Sequence, residues 1–257
     1  MKTAIRAKVS RVRKASIAGE PRCSQCSLFR MWMPTTLSEN HSDLLDELIG
    51  SPRVINRGES LFHTDSMFHA FYVVRSGFFK TQVLTKNGLE QVTGFQMAGE
   101  ILGMDGVGAE LHTCNATALE QSQVWLIPFS KLVALSLEVK CLQHHIHKLI
   151  SHEIVRSQDV MLLLGTMDAE ERLAAFLLNL SRRYLARGRD PTDFCLGMTR
   201  EDIGLYLGLR TETVSRIFSR FKEQGLISIE RRHIRILSVF KLSRMIDPLE
   251  WRGAYNH

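Results

Sequence analysis

Nowhere in the 257 residues do apolar side chains run unbroken for the roughly 18 positions that a membrane-spanning helix needs, so no span and no membrane partner are expected. Cysteine is scarce. Five residues at irregular spacing, an odd number, do not make a disulfide framework. Proline and glycine, at 6 and 17 residues, show no excess, and no low-complexity tract interrupts the chain. The basic N-terminus is not followed by an apolar segment, which excludes a secretory signal and makes the cytoplasm the expected location. No H-E-x-x-H, phosphate-binding loop or nucleophile–base pair is present, so an enzyme is not expected.

What is present first is an uneven distribution of charge. Residues 1–22 hold seven Lys/Arg and one Glu, residues 23–169 hold ten against fifteen Asp/Glu, and residues 170–257 hold sixteen against eleven. Basic ends around an acidic middle suggest a division of labour, with the C-terminal part the candidate for phosphate contact. Residues 1–22 lack periodicity and large apolar groups and read as a mobile tail.

From Val54 to Pro128 short β-branched and aromatic runs, such as FYVV (71–74) and QVTGF (91–95), alternate with glycines. Lys86-Asn87-Gly88 predicts a hairpin turn, and many short strands at even spacing predict a sandwich or barrel. From Ser130 the period changes to three and four. Leu132, Leu135, Val139, Leu142, Ile146 and Leu149 form one stripe, which continues after a shift through Ile150, Ile154, Ser157, Met161 and Leu164. With no Pro or Gly before position 165, this predicts a single helix of roughly 30 residues, far above the mean of ~11–12. Its stripe is a candidate coiled-coil seam between two copies, the competing possibility being a helix that lies on its own barrel. An amphipathic helix over 169–187 follows, ended by Gly188.

The stretch MTREDIGLYLGLRTETVSRIFSRFKEQGLISI (198–229) carries the functional signal. Thr199 with Asp202 forms a capping-box variant that starts a short helix, Arg200–Leu207, with Ile203, Tyr206 and Leu207 inward. Gly208 allows a sharp turn. Thr211 is expected to cap a second helix, whose inner face is Val214, Ile217, Phe218 and Phe221. Two short helices joined in this way make a helix-turn-helix. On the second helix Glu212, Ser215 and Arg216, at i, i+3 and i+4, share an outward face. Arg can bond a guanine edge, Glu can accept from cytosine and Ser can reach base or phosphate. The competing possibility is a surface ion pair between Glu212 and Arg216. ISI-ERRH-IRI (227–236) then predicts a two-stranded wing whose Arg231, Arg232 and Arg235 approach the backbone.

On the tracts DAEERLAAFLLNLSRRY (168–184), MTREDIGLYLGL (198–209) and E-T-V-S-R (212–216), the chain from about Cys23 resembles the CRP/FNR superfamily of bacterial transcription regulators, in particular its FNR branch. The resemblance implies an α+β protein with a cyclic-nucleotide-binding-type β-roll (23–129), a dimerisation helix (130–165) and a winged helix-turn-helix (166–257). The implied DNA-contacting residues are Glu212, Ser215 and Arg216, with Thr199, Arg210, Thr211 and Thr213 beside them. They would read a TTGAT–N4–ATCAA type of palindrome on double-stranded DNA. The implied partners are a second copy, joined along Ile150, Ile154, Ser157, Met161 and Leu164, and RNA polymerase, approached by the turn at 86–91.

Oxygen-sensing members of this branch hold a 4Fe–4S cluster on a C-x2-C-x5-C run and a fourth cysteine just before an I-P pair. Cys23 and Cys26 match the first two, but Trp32 and Trp125 occupy the other two positions, and Trp offers no soft donor to iron. The seam aspartate of those members corresponds to Ser157, which removes a like-charge repulsion across the two-fold axis. No iron–sulfur cluster is therefore expected, and dimerisation in air is. Cys23 and Cys26 remain as a zinc or redox pair, or as a remnant with Trp32 and Trp125 packed as a plug. For cAMP, Gly99-Glu100-Ile101-Leu102-Gly103 supplies the expected turn, but Leu111-His112-Thr113 stands where an Arg-Ser pair is needed, so cAMP is not expected either. His112 reads as a surface residue. A second functional reading is a metal-, haem- or thiol-responsive regulator using Cys23/Cys26 or the histidines at 144, 145, 147 and 152.

Overall fold

Alternating burial along short strands builds the first half of the fold. The computed structural model describes residues 48–85 and 87–246, so the tail, Cys23, Cys26, Trp32 and Lys86 lie outside the described residues. Strands β1 (Arg53–Ile55), β2 (Ser60–Phe62), β3 (Ala70–Ser76), β4 (Phe78–Leu84), β5 (Glu90–Met97), β6 (Ile101–Leu102), β7 (Asn115–Ala118) and β8 (Ser122–Pro128) pair into two four-stranded sheets, ordered β1-β8-β3-β6 and β2-β7-β4-β5. Ile55, Phe62, Val74, Phe79, Ala116 and Val124 are buried between them. The β4–β5 hairpin pairs Leu84 with Glu90, and Gly88 takes a positive φ of 79° in the connecting loop. Trp125 lies on β8 opposite Val73, 4% exposed, in a cluster with Phe71, Ile127, Leu132 and Leu142. Truncating a ring buried in this way costs about 3–5 kcal/mol.

The helix expected to run unbroken from 130 is two helices, α1 (Phe129–Glu138) and α2 (Lys140–Thr166). Val139 between them is extended, at φ −113° and ψ 89°. The break has a packing cause. Val139 is buried with Leu132 and Leu142, while Leu135, Ile146 and Leu149 lie partly buried on the same cluster. A β-branched residue leaves helical geometry at modest cost, and the bend brings both helices onto the roll. The first half of the apolar stripe is thus satisfied within the chain.

Helix α3 (Ala169–Leu185) begins at a reciprocal capping box between Asp168 and Glu171 and ends sooner than expected. Strand β9 (Asp193–Cys195), helices α4 (Arg200–Leu207) and α5 (Thr211–Glu223), strands β10 (Ile227–Glu230) and β11 (His233–Ile236), and helix α6 (Val239–Ser243) complete the described chain, with a small sheet ordered β10-β11-β9. The core of this half is not closed on itself. Val92, Phe95 and Met97 of β5 are buried in one cluster with Leu163 of α2, Leu177 of α3 and Ile203 of α4. Strand β5 is a sheet edge, and the helices cover it.

Candidate nucleic-acid interface

The outward-facing side chains of the C-terminal half are positioned by caps and by one close approach. The Thr199 hydroxyl accepts the Asp202 N–H at 3.1 Å, and the Asp202 carboxylate accepts the Thr199 N–H at 2.9 Å and its hydroxyl at 2.7 Å. Such a box is worth about 1 kcal/mol. Burial alone would raise the Asp202 carboxyl, but the Thr199 N–H and the Lys80 ammonium 2.9 Å away outweigh it and hold it below the usual range. Helix α4 ends at Gly208, left-handed at φ 65°, and the Gly204 carbonyl accepts both the Gly208 and the Leu209 N–H groups. A methyl group on Gly204 would lie 2.6 Å from the Leu209 carbonyl oxygen.

This tight exit corrects one expectation. Thr211 is not the cap of α5 but its first residue, and Arg210 holds the cap position without a side-chain bond. With the Leu209 N–H already tied back to Gly204, the chain re-enters helix at once. Val214, Ile217, Phe218 and Phe221 are buried, whereas Glu212, Ser215 and Arg216 are exposed on one face. Arg210 and Thr211 are exposed at the N-terminus of α5, where helix N–H groups favour phosphate, and Thr213 is half-buried. Among the described residues no ion pair within 4 Å joins Glu212 to Arg216.

One contact had no signal in the sequence. The Arg200 guanidinium stacks 3.3 Å from the Phe218 ring centroid, tying the first helix to the second. Burial lowers Arg200 to about 10, and its Nη1 is buried with no partner among the described residues. In the wing, Arg231 (φ 57°) and Arg232 form the exposed turn. Arg235 is exposed too, but Asp193 takes both its Nε at 2.9 Å and its Nη2 at 2.8 Å, and the same carboxylate meets His233 Nε2 at 2.6 Å. Its charge is shared with Asp193, whereas Arg231 and Arg232 make no ion pair with a carboxylate among the described residues.

The seam residues divide. Ile150, Ile154 (54% exposed), Ser157 and Met161 (65% exposed) form an outward stripe on α2, whereas Leu164 packs partly buried against the core of the helix-turn-helix half. His112 is a second correction. It is 2% exposed, stacked 3.7 Å from the Phe62 ring, with Nδ1 3.4 Å from Asp105. Cys114 is buried, and burial together with Asp105 pushes its thiol up to about 12, while Cys141 is half-buried and Cys195 exposed. Among the described residues no group of three or more His, Cys, Asp or Glu is placed to hold a metal.

The Crp-like helix-turn-helix domain matches residues 171–245, and the cyclic nucleotide-binding domain matches residues 52–138. Transcriptional regulatory protein btr of Bordetella pertussis is 43% identical over 224 residues, which is 87% of this chain and 93% of that protein. The chain belongs to the CRP/FNR superfamily. It is a DNA-binding transcription regulator with an α+β fold. The fumarate and nitrate reduction regulatory protein of Escherichia coli K12 is also 43% identical, over 83% of this chain and 86% of its own. The solved structure of FixK2 from Bradyrhizobium japonicum superimposes with a TM-score of 0.71 at 28% identity, over 76% of this chain and 96% of that one. No helix among the described residues of this CRP/FNR regulator is long and apolar enough to cross a membrane.

Proposed function

We propose that this regulator acts as a homodimer on a TTGAT–N4–ATCAA type of palindrome, in air, without a four-thiolate iron–sulfur cluster and without a cyclic nucleotide, and that its β4–β5 turn meets RNA polymerase. One observation carries the reading. The Glu212–Ser215–Arg216 face and the Ile150–Ile154–Met161 stripe around a neutral Ser157 are exposed in the same arrangement of the chain. A stripe of large apolar groups on a helix is the ordinary raw material of a two-stranded seam.

The ligand sites of relatives fit these residues poorly. At the position of a cluster cysteine stands Trp125, which has no thiolate to offer and is buried in an apolar cluster against which Cys141 packs. A cyclic phosphate needs cations or free N–H donors. Here the Glu100 carboxylate is held by Arg183 and Arg187, and Asp105 accepts the Thr113 N–H at 2.7 Å beside the buried His112 ring. These residues offer engaged carboxylates and rings rather than a phosphate cradle.

Aerobically purified protein tests the reading by sedimentation and by titration onto the palindrome at stated salt. A dimer with a strong preference for the palindrome over scrambled DNA is expected, and a monomer at micromolar concentration refutes the proposal. Arg216→Ala should cost about 1–3 kcal/mol and relax the preference at one base position. An equal loss on unrelated DNA would show that Arg216 touches phosphate alone.

A further inference from the structure

Helix α3 is held at both ends. At its start only Met167 and Asp168 separate it from α2, a natural pivot. At its far end Arg183, and Arg187 just beyond the C-cap Ala186, reach across to the roll. Arg183 grips Glu100 as a fork, Nε to Oε1 at 2.9 Å and Nη2 to Oε2 at 2.6 Å, and its Nη2 also donates to the Phe95 carbonyl at 2.7 Å. Arg187 Nη2 donates to Glu100 Oε1 at 2.7 Å, and its Nε donates to the Ala98 carbonyl. The Met97 N–H fills the remaining lone-pair direction of Glu100 at 3.1 Å. Arg156 of α2 joins the cluster through the Phe95 carbonyl at 3.4 Å, and a methyl group on Gly94 would lie 2.6 Å from its Nη2.

A second grip lies along the same sheet edge. Lys80 of β4 pairs with Asp202 in the first turn of α4, and Gln91 of β5 donates to the Leu205 carbonyl. Val92, Phe95 and Met97 fill the space between the two grips. The distance from pivot to Arg183 is about 21 Å at 1.5 Å per residue, so a swing of ~10° about the pivot would move the far end of α3 by ~4 Å. Two half-sites one DNA turn apart, ~34–36 Å, require the two reading heads to be placed more tightly than that.

We propose that Glu100, Arg183 and Arg187 form an ionic latch that fixes the reading head against the roll and thereby sets the half-site spacing the dimer accepts. The latch puts the acidic residue of the G-E-x-x-G turn to work as the tie between sensor domain and DNA-binding half. The spacing part of the proposal rests on the reading of the chain as a palindrome-binding dimer; the tie itself does not.

The test uses the full-length chain with Glu100→Gln, and with Arg187→Gln as a milder variant that folds if the first does not. Affinity is measured on the palindrome, on palindromes with the spacer lengthened or shortened by one base pair, and on DNA with one half-site scrambled. The latch variant should bind the palindrome about tenfold more weakly, keep its affinity for the single half-site, and discriminate less between spacers. Hydrogen exchange in the last turn of α3 should also speed up. Unchanged spacer discrimination together with unchanged exchange in a folded variant overturns the latch. A wild type that does not prefer the palindrome to a single half-site overturns the dimer reading and with it the spacing role, and the exchange measurement then decides the tie by itself.

Discussion

Replacing Gly204 by alanine isolates the contact that shapes the helix-turn-helix. In an ordinary helix interior alanine is favoured over glycine by about 0.8–1 kcal/mol. At Gly204 the new methyl group would lie 2.6 Å from the Leu209 carbonyl oxygen and 3.6 Å from both the Leu209 carbonyl carbon and the Thr211 nitrogen. The obstacle is backbone. It belongs to a turn held by the Leu209 N–H bond to Gly204 at 2.9 Å, so it does not swing aside as a side chain would. Overpacking of this kind costs about 1–3 kcal/mol. The net expectation is a loss of up to about 2 kcal/mol, and in a chain of this size each kcal/mol lowers the thermal midpoint by ~2–4 °C. Gly165→Ala provides the control. It lies near the end of α2 with nothing within 4 Å of the added carbon and should be neutral or gain up to about 0.5 kcal/mol. Urea unfolding of the two variants beside wild type reads the difference. Because a displaced turn re-aims α5, Gly204→Ala should also lose more affinity on the specific site than on unrelated DNA. If it proves as stable as Gly165→Ala, the close-approach reasoning is refuted.

Placing a carboxylate in the α2 stripe, Ser157→Asp, should raise the dimer dissociation constant about tenfold or more through like-charge repulsion across the axis, and unchanged sedimentation would remove Ser157 from the seam. Burial alone would raise Glu100, but the charges of Arg183 and Arg187 outweigh it and bring it from 4.5 to about 2. A folded-state value below the unfolded one means that the group stabilises the fold above pH ~4.5 and loses that contribution as pH falls toward 2. The stability gap between wild type and Glu100→Gln, at most about 3 kcal/mol, should therefore close across that window, and a gap that does not vary with pH there would refute the pairing. Thiol-specific labelling at pH 8 should modify Cys195 and spare Cys114 until the protein is unfolded; rapid labelling of Cys114 in the folded protein would contradict its burial and its thiol at about 12.

Local pattern in the amino-acid order was enough for the elements of the helix-turn-helix. The bounds of α4, the Thr199–Asp202 capping box, the left-handed Gly208 and the inner face Val214–Ile217–Phe218–Phe221 are all consequences of neighbours within one or two helical turns. The short runs of 54–128 likewise pointed to a sandwich or barrel, and the two four-stranded sheets agree with that, because one face of each short strand must be buried. Periodicity reports which face is hidden and says nothing of what hides it. Hence the stripe from Leu132 to Leu164 read as one unbroken helix, open to a seam between copies or to packing on its own barrel, whereas packing divides it among the roll, an exposed face and the core of the DNA-binding half, and bends the helix at Val139. His112 read as a surface residue because nothing beside it in sequence shows the Phe62 ring stacked on it. The Arg200–Phe218 stack and the grip of Arg183 and Arg187 on Glu100 join residues far apart along the chain. Those pairings decide how the reading head is held, and they arise only once strand β5, a sheet edge that needs covering, meets the helices that cover it.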